Sequence, residues 1–134
     1  MQKWIISANG NYFDHGKAFQ KKGYIDWKQT RNFSVGDIVY IYVTKPESKI
    51  RYKTVVTAIN MKHDEIDDFS EYWIKKGCDK IEKRYFRLSL IEKYDSLKLG
   101  FECLKNYGME YVPQSPCRVK EKLEEYLNKV EVAK

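Results

Sequence analysis

Apolar and polar positions along the chain change period several times, and each change marks an element. "KWIISAN" (residues 3–9) carries β-branched residues up to Asn9-Gly10, which predicts a short strand. "DHGKAFQKKG" (14–23) predicts a short helix with Asp14 as N-cap and Gly23 closing it. Residues 24–36 show no period and read as an irregular polar segment. "DIVYIYVT" (37–44) is apolar on both faces, with Ile38, Tyr40 and Tyr42 on one side and Val39, Ile41 and Val43 on the other. Pro46 and Ser48 then mark a hairpin loop, and residues 49–60 return as the partner strand. Residues 64–77 place Ile66, Phe69 and Trp73 at helical spacing, 82–94 return to period two, and 99–108 form a short helix ended by Gly108. The last segment, 113–130, predicts a helix with Ser115 as N-cap and Pro116 in its first turn. Val119, Leu123, Tyr126, Leu127 and Val130 form one stripe along it. Strands apolar on both faces need cover on both sides, as in a small barrel or a sheet flanked by helices. The order predicts one α+β domain spanning residues 1–134.

Length and composition keep that picture. A chain of 134 residues is long enough for one real core and too short for two. Hydrophobic residues at 43% and charged residues at 33% exclude a disordered chain. No apolar run approaches the roughly 20 residues of a membrane span, and the first residues lack a secretory apolar region. The expectation is a cytoplasmic protein with no membrane partner. Cys78, Cys103 and Cys117 are odd in number and widely spaced, and His15 and His63 form no ligand pair, so neither a disulfide framework nor a metal site is expected.

Charge and aromatic content change the picture. A net charge of +6 favours an anionic partner, and 15% aromatic residues, eleven of them tyrosine, supply stacking surfaces for bases. No Gly-rich phosphate loop, Gly-x-Ser-x-Gly or His-Glu-x-x-His motif is present, and acid pairs such as Asp67-Asp68 read as solvated faces. No enzyme activity and no cofactor are expected. Trp27, in a polar stretch between Asp26 and Lys28, is the informative position. It either seals one end of the sheet or forms one wall of a base-sized slot. In the second reading Tyr42 is the facing wall, Thr44 supplies hydrogen bonds and Tyr12 is a third aromatic. Lys45, Lys49, Arg51 and Lys53 would form a basic hairpin edge for phosphates. Trp4 and Trp73 are assigned to the core.

"WKQTRN" (27–32) followed by "VGDIVYIYVT" (35–44), with the early tryptophan of "KWIISAN", resembles the EVE domain of the PUA superfamily, related to YTH and ASCH domains. The resemblance covers nearly the whole chain and is specific in its central segment. It implies a small bent β-barrel of about five strands with surrounding helices. It also implies a pocket for a modified base, with Trp27, Tyr42 and Thr44 in the motif positions and Ser7 and Asn9 at the ligand. On this reading the protein flips a methylated or hydroxymethylated cytosine of DNA into an aromatic pocket, in bacterial defence, with a nuclease or NTPase partner acting in trans. An RNA-binding PUA-like domain is the alternative. An ASCH-like hydrolase of modified nucleosides is a weaker one, because the Gly-x-Lys-x-x-Glu-x-Arg signature is absent: Gly36 is followed by Asp-Ile-Val-Tyr. A protein-interaction adaptor would instead show an exposed apolar patch.

Overall fold

The computed structural model describes residues 1–75 and 80–132. Its strands are β1 (Lys3–Ala8), β2 (Tyr24–Lys28), β3 (Ile38–Val43), β4 (Lys49–Met61), β5 (Tyr85–Lys93) and β6 (Cys117–Arg118). Its α-helices are α1 (His15–Lys22), α2 (Phe101–Leu104) and α3 (Glu121–Val132). The strands form one six-stranded mixed sheet in the order β2-β5-β4-β3-β1-β6. The fold is α+β, as expected, with six strands instead of about five, and its ladder stays open between the edge strands β2 and β6. Cys78 and the end of the predicted 64–77 helix lie outside the described residues.

β3 organises the molecule because all six of its residues are buried. Val39, Ile41 and Val43 face a core built with Ile6, Phe13, Phe19, Ile25, Phe86 and Leu88. Ile38, Tyr40 and Tyr42 face a second core closed by Leu104, Leu123, Leu127 and Val130 from α2 and α3. Each such side chain contributes roughly 1.5–3 kcal/mol by leaving water. β4 serves both layers through a bulge. Ile41 pairs with Tyr52 and Tyr42 with Ile50, so Arg51 is the extra residue. Ile50 consequently lies in the second core and Tyr52 in the first.

Three segments differ from the sequence expectation. Trp27 lies on a strand, not in a loop: β2 pairs antiparallel with β5, with Trp27 opposite Phe86 and Asp26 opposite Arg87. The buried Asp26 carboxylate is satisfied by both Arg87 nitrogens, at 2.7 and 3.0 Å, which lets a charged residue sit in that strand. Residues 63–72 hold two 3-10 turns (His63–Glu65 and Ser70–Tyr72) in place of one helix. Side-chain acceptors win there, one local and one distant: Asp68 Oδ1 takes the Ser70 N–H and Asp26 on β2 takes the Asp67 N–H. Residues 113–120 are not helical, with bends at Gln114 and Ser115 followed by β6, and α3 begins only at Glu121. β6 pairs with β1, and the Val119 N–H donates to the Lys3 carbonyl at 2.9 Å.

Asp37 gives the Gly-Asp step of the central segment a structural purpose. Its carboxylate is 1% exposed and accepts from the Gln2 and Ser34 backbone N–H groups and from the Trp4 indole. Burial pushes this carboxyl up, but those hydrogen bonds outweigh it and hold the group below the ordinary carboxylate value. Gly36 precedes it at φ +97°, a left-handed conformation that favours glycine.

Candidate functional site

β1 and β3 are parallel neighbours, so both chains leave the sheet at the same edge. Ser7, Ala8 and Asn9 emerge there beside Thr44, whose backbone N–H donates to the Ala8 carbonyl at 2.9 Å. A cavity of about 790 Å³ opens at this edge. Ser7, Asn9 and Thr44 line it, with Tyr12, Phe13, Trp27 and Trp73 as aromatic walls. A second cavity of about 190 Å³ shares Ser7, Trp27 and Lys28 with the first and is bounded by Thr30, Arg31, Gln114 and Ser115. Trp27 is therefore a wall common to both. Ser7 Oγ donates to the Pro113 carbonyl at 2.7 Å and Arg31 donates to Ser115 Oγ at 3.2 Å. These bonds hold 113–116 against the cleft in an irregular conformation instead of starting the helix.

The aromatic walls are packed against each other. Trp27 and Trp73 are nearly parallel, 6° apart with centroids 5.7 Å apart, and Phe13 meets both edge-on at 5.1 and 4.9 Å. A ring held between two others needs about 7 Å, twice the stacking distance of about 3.4 Å. The tryptophan pair as it stands has no room for one. Tyr12 is the outermost aromatic, with the Lys75 ammonium 4.5 Å over its ring.

Backbone bonds pin the wall that carries Trp73. Asp14 N–H donates to the Tyr72 carbonyl at 2.7 Å and Ile74 N–H to the Tyr12 carbonyl at 2.8 Å. On the other side Asp67 accepts from the Tyr24 hydroxyl and lies 3.5 Å from Arg87. The Arg87 guanidinium sits 4.3 Å over the Tyr24 ring. Its hydrogen bonds to Asp26 raise its affinity for its proton. Behind Phe13 and Trp27 lies His15, 3% exposed, whose Nε2 has no hydrogen-bond partner. Burial lowers this imidazole to about 4, so it is neutral at pH 7.

The structure brings together five of the ten residues singled out in the sequence: Ser7, Asn9, Tyr12, Trp27 and Thr44. Tyr42 is not among them. It is 1% exposed and belongs to the second core, because strand alternation turns it toward α2 and α3 with Ile38 and Tyr40. Lys45 and Arg51 line neither cavity. The basic hairpin edge is largely neutralised: Arg51 pairs with Glu47, Lys49 with Asp95 at 2.7 Å and Lys53 with Glu131 at 3.2 Å. Trp73, assigned to the core, packs against it and is also a cavity wall, Phe13 and Arg31 were given no role, and Ser115 was read only as a helix N-cap. Arg31 stood inside the central "WKQTRN" stretch, which was the one signal for it. Among the described residues no group of three or more His, Cys, Asp or Glu is arranged to hold a metal. No helix among them is long and apolar enough to cross a membrane.

No protein-family model and no curated protein matches the chain. Solved structures do. The crystal structure of ASCH from Zymomonas mobilis superposes with a TM-score of 0.65 at 14% identity, covering 96% of this chain and 95% of that one. A hypothetical protein from Leishmania major gives 0.66 at 17% identity, covering 99% and 96%. A Rhodopseudomonas palustris protein solved by NMR gives 0.68 at 10% identity, covering 99% and 94%. The chain thus shares the architecture of these structures, and the likeness is one of fold.

Proposed function

We propose that this chain is a non-catalytic nucleic-acid-binding module that receives an extruded base in the cleft around Trp27. The observation that carries the reading is one indole forming the shared wall of two cavities, at an edge where strand ends present Ser7, Asn9 and Thr44. Stacking a base on such a ring contributes about 1–3 kcal/mol. Extruding a base from a duplex costs a few kcal/mol, which a modified or unpaired base reduces. Phe13 and Trp73 pack directly on Trp27 and brace it, and Tyr12 takes the place first assigned to Tyr42. Methylated or hydroxymethylated cytosine in DNA is the favoured ligand, on the EVE-like pattern of the central segment, with cleavage supplied by a partner chain in a defence setting.

The test is binding of matched duplexes carrying cytosine, 5-methylcytosine, 5-hydroxymethylcytosine or N6-methyladenine, alongside a structured RNA, at one salt concentration. Preference for one modified duplex is expected, weakened about 5- to 150-fold in Trp27→Ala. A folded Trp27→Ala protein that binds as wild type overturns the base slot. A preference for the RNA replaces DNA as the ligand. Turnover of a modified nucleoside overturns the non-catalytic reading.

A further inference from the structure

Seven ion pairs join described residues, and they divide the basic side chains into two populations. The hairpin cations Lys49, Arg51 and Lys53 are all paired with carboxylates. Lys28, Arg31 and Arg84 enter none of these pairs, and they lie at one end of the β2–β5 ladder. Lys28 is opposite Tyr85, and the Gln29 N–H donates to the Arg84 carbonyl at 3.0 Å. We propose that this end, Lys28–Arg31–Arg84, is the phosphate-binding surface of the molecule. The inference rests on the nucleic-acid reading above and moves the backbone contact from the hairpin to the mouth of the cleft.

The two arginines are held in a way that suits the task. Arg31 donates to the hydroxyl of Ser115, and Arg84 to the amide oxygens of Asn32 and Asn60, both at 3.1 Å. All three acceptors are neutral, so each guanidinium is oriented without being discharged. A guanidinium has five donors in a fixed fork, which leaves spare N–H groups for a bidentate phosphate contact. Lys28 is exposed and lines both cavities, while Arg31 borders the smaller one. Exposed Lys80 and Lys83 flank Glu82 and extend the positive field toward the larger cavity, which Lys80 and Glu82 line. A strand bound here would carry its phosphates past the opening through which a base turns inward. The acids on the opposite wall, Asp67 and Asp68, would keep the backbone from entering the cavity itself.

The experiment is the salt dependence of binding to a short fluorescein-labelled unmodified DNA duplex, between roughly 50 and 200 mM salt. Wild type is compared with Lys28→Gln/Arg31→Gln/Arg84→Gln and with the hairpin variant Lys49→Gln/Arg51→Gln. Far-UV circular dichroism confirms that each is folded. Each phosphate contact contributes about 0.9 to the slope of log K against log salt, so the cleft triple variant is expected to lose about 2–3 from it. The hairpin variant is expected to keep the wild-type slope. An unchanged slope in the triple variant, with wild type binding normally, overturns this inference and leaves the base slot standing. A slope lost in the hairpin variant also overturns it. Wild type that binds no nucleic acid at all removes both readings.

Discussion

His15 makes the sharpest thermodynamic prediction. Its imidazole is 3% exposed, lies against Phe13 and Trp27, and leaves Nε2 without a partner. Burial lowers it from 6.5 to about 4, against smaller opposing effects of a Phe13 backbone hydrogen bond and the Asp14 charge. The unfolded chain therefore takes up a proton in a range where the folded one does not. Stability is full above the unfolded value and is lost as pH falls from about 6.5 to about 4. A tenfold difference in proton affinity is worth about 1.4 kcal/mol, so the complete loss is roughly 3 kcal/mol. About 2 kcal/mol of it falls between pH 7 and pH 5. The substitution is His15→Phe, which keeps a flat ring among aromatic neighbours and cannot titrate. Urea denaturation of both proteins at pH 7 and pH 5 gives the four free energies needed. Wild type should lose about 2 kcal/mol more than the variant between the two pH values. The variant should also be at least as stable at pH 7, because it removes an unpartnered buried acceptor. Equal pH dependence in the two proteins would refute the argument.

Two further substitutions test the framework. Asp37→Ala leaves the Gln2 and Ser34 N–H groups and the Trp4 indole unpaired and should cost about 3–5 kcal/mol in urea denaturation, with Asp37→Asn losing less. Because that carboxyl is depressed, its contribution is present above the ordinary value of 3.8 and is lost as pH falls below it, so wild type and Asp37→Asn should converge in strong acid. Arg87→Leu leaves the Asp26 carboxylate buried with only the Asp67 N–H and should cost about 3 kcal/mol. It also removes the Arg87–Asp67 pair, one of the ties between the 63–72 segment and the sheet, so amide hydrogen exchange in that segment should speed up relative to wild type.

Elements whose determinants are local were legible in the sequence. α1 is bounded by Asp14, which accepts the Lys17 N–H, and by Gly23 at φ +80°. The two-faced pattern of β3 and the Leu123, Leu127, Val130 stripe of α3 also stand as read. The rest depends on partners far along the chain. β2 looks irregular because Asp26 is a poor strand residue until Arg87, 61 residues later, neutralises it. Residues 113–116 carry good helix-start signals, Ser115 and Pro116, and are held out of a helix by Ser7 and Arg31 instead. Trp73 sits at helical spacing from Phe69, but the segment is not a helix, so the stripe did not report its environment. Tyr42 was misassigned for a simpler reason. Its proximity to Thr44 in sequence implies a shared face, yet Thr44 has already left the strand. The Arg51 bulge is invisible to any period-two reading.

The shared exit edge of β1 and β3 has an evolutionary consequence. Ser7, Asn9 and Thr44 are only partly buried, while their strand neighbours Ile6, Ala8 and Val43 fill the first core. Replacing any of the three changes what the cleft offers a ligand without altering either hydrophobic layer. The lining of the cleft can therefore vary independently of the scaffold, in keeping with one architecture shared by solved structures only 10, 14 and 17% identical to this chain.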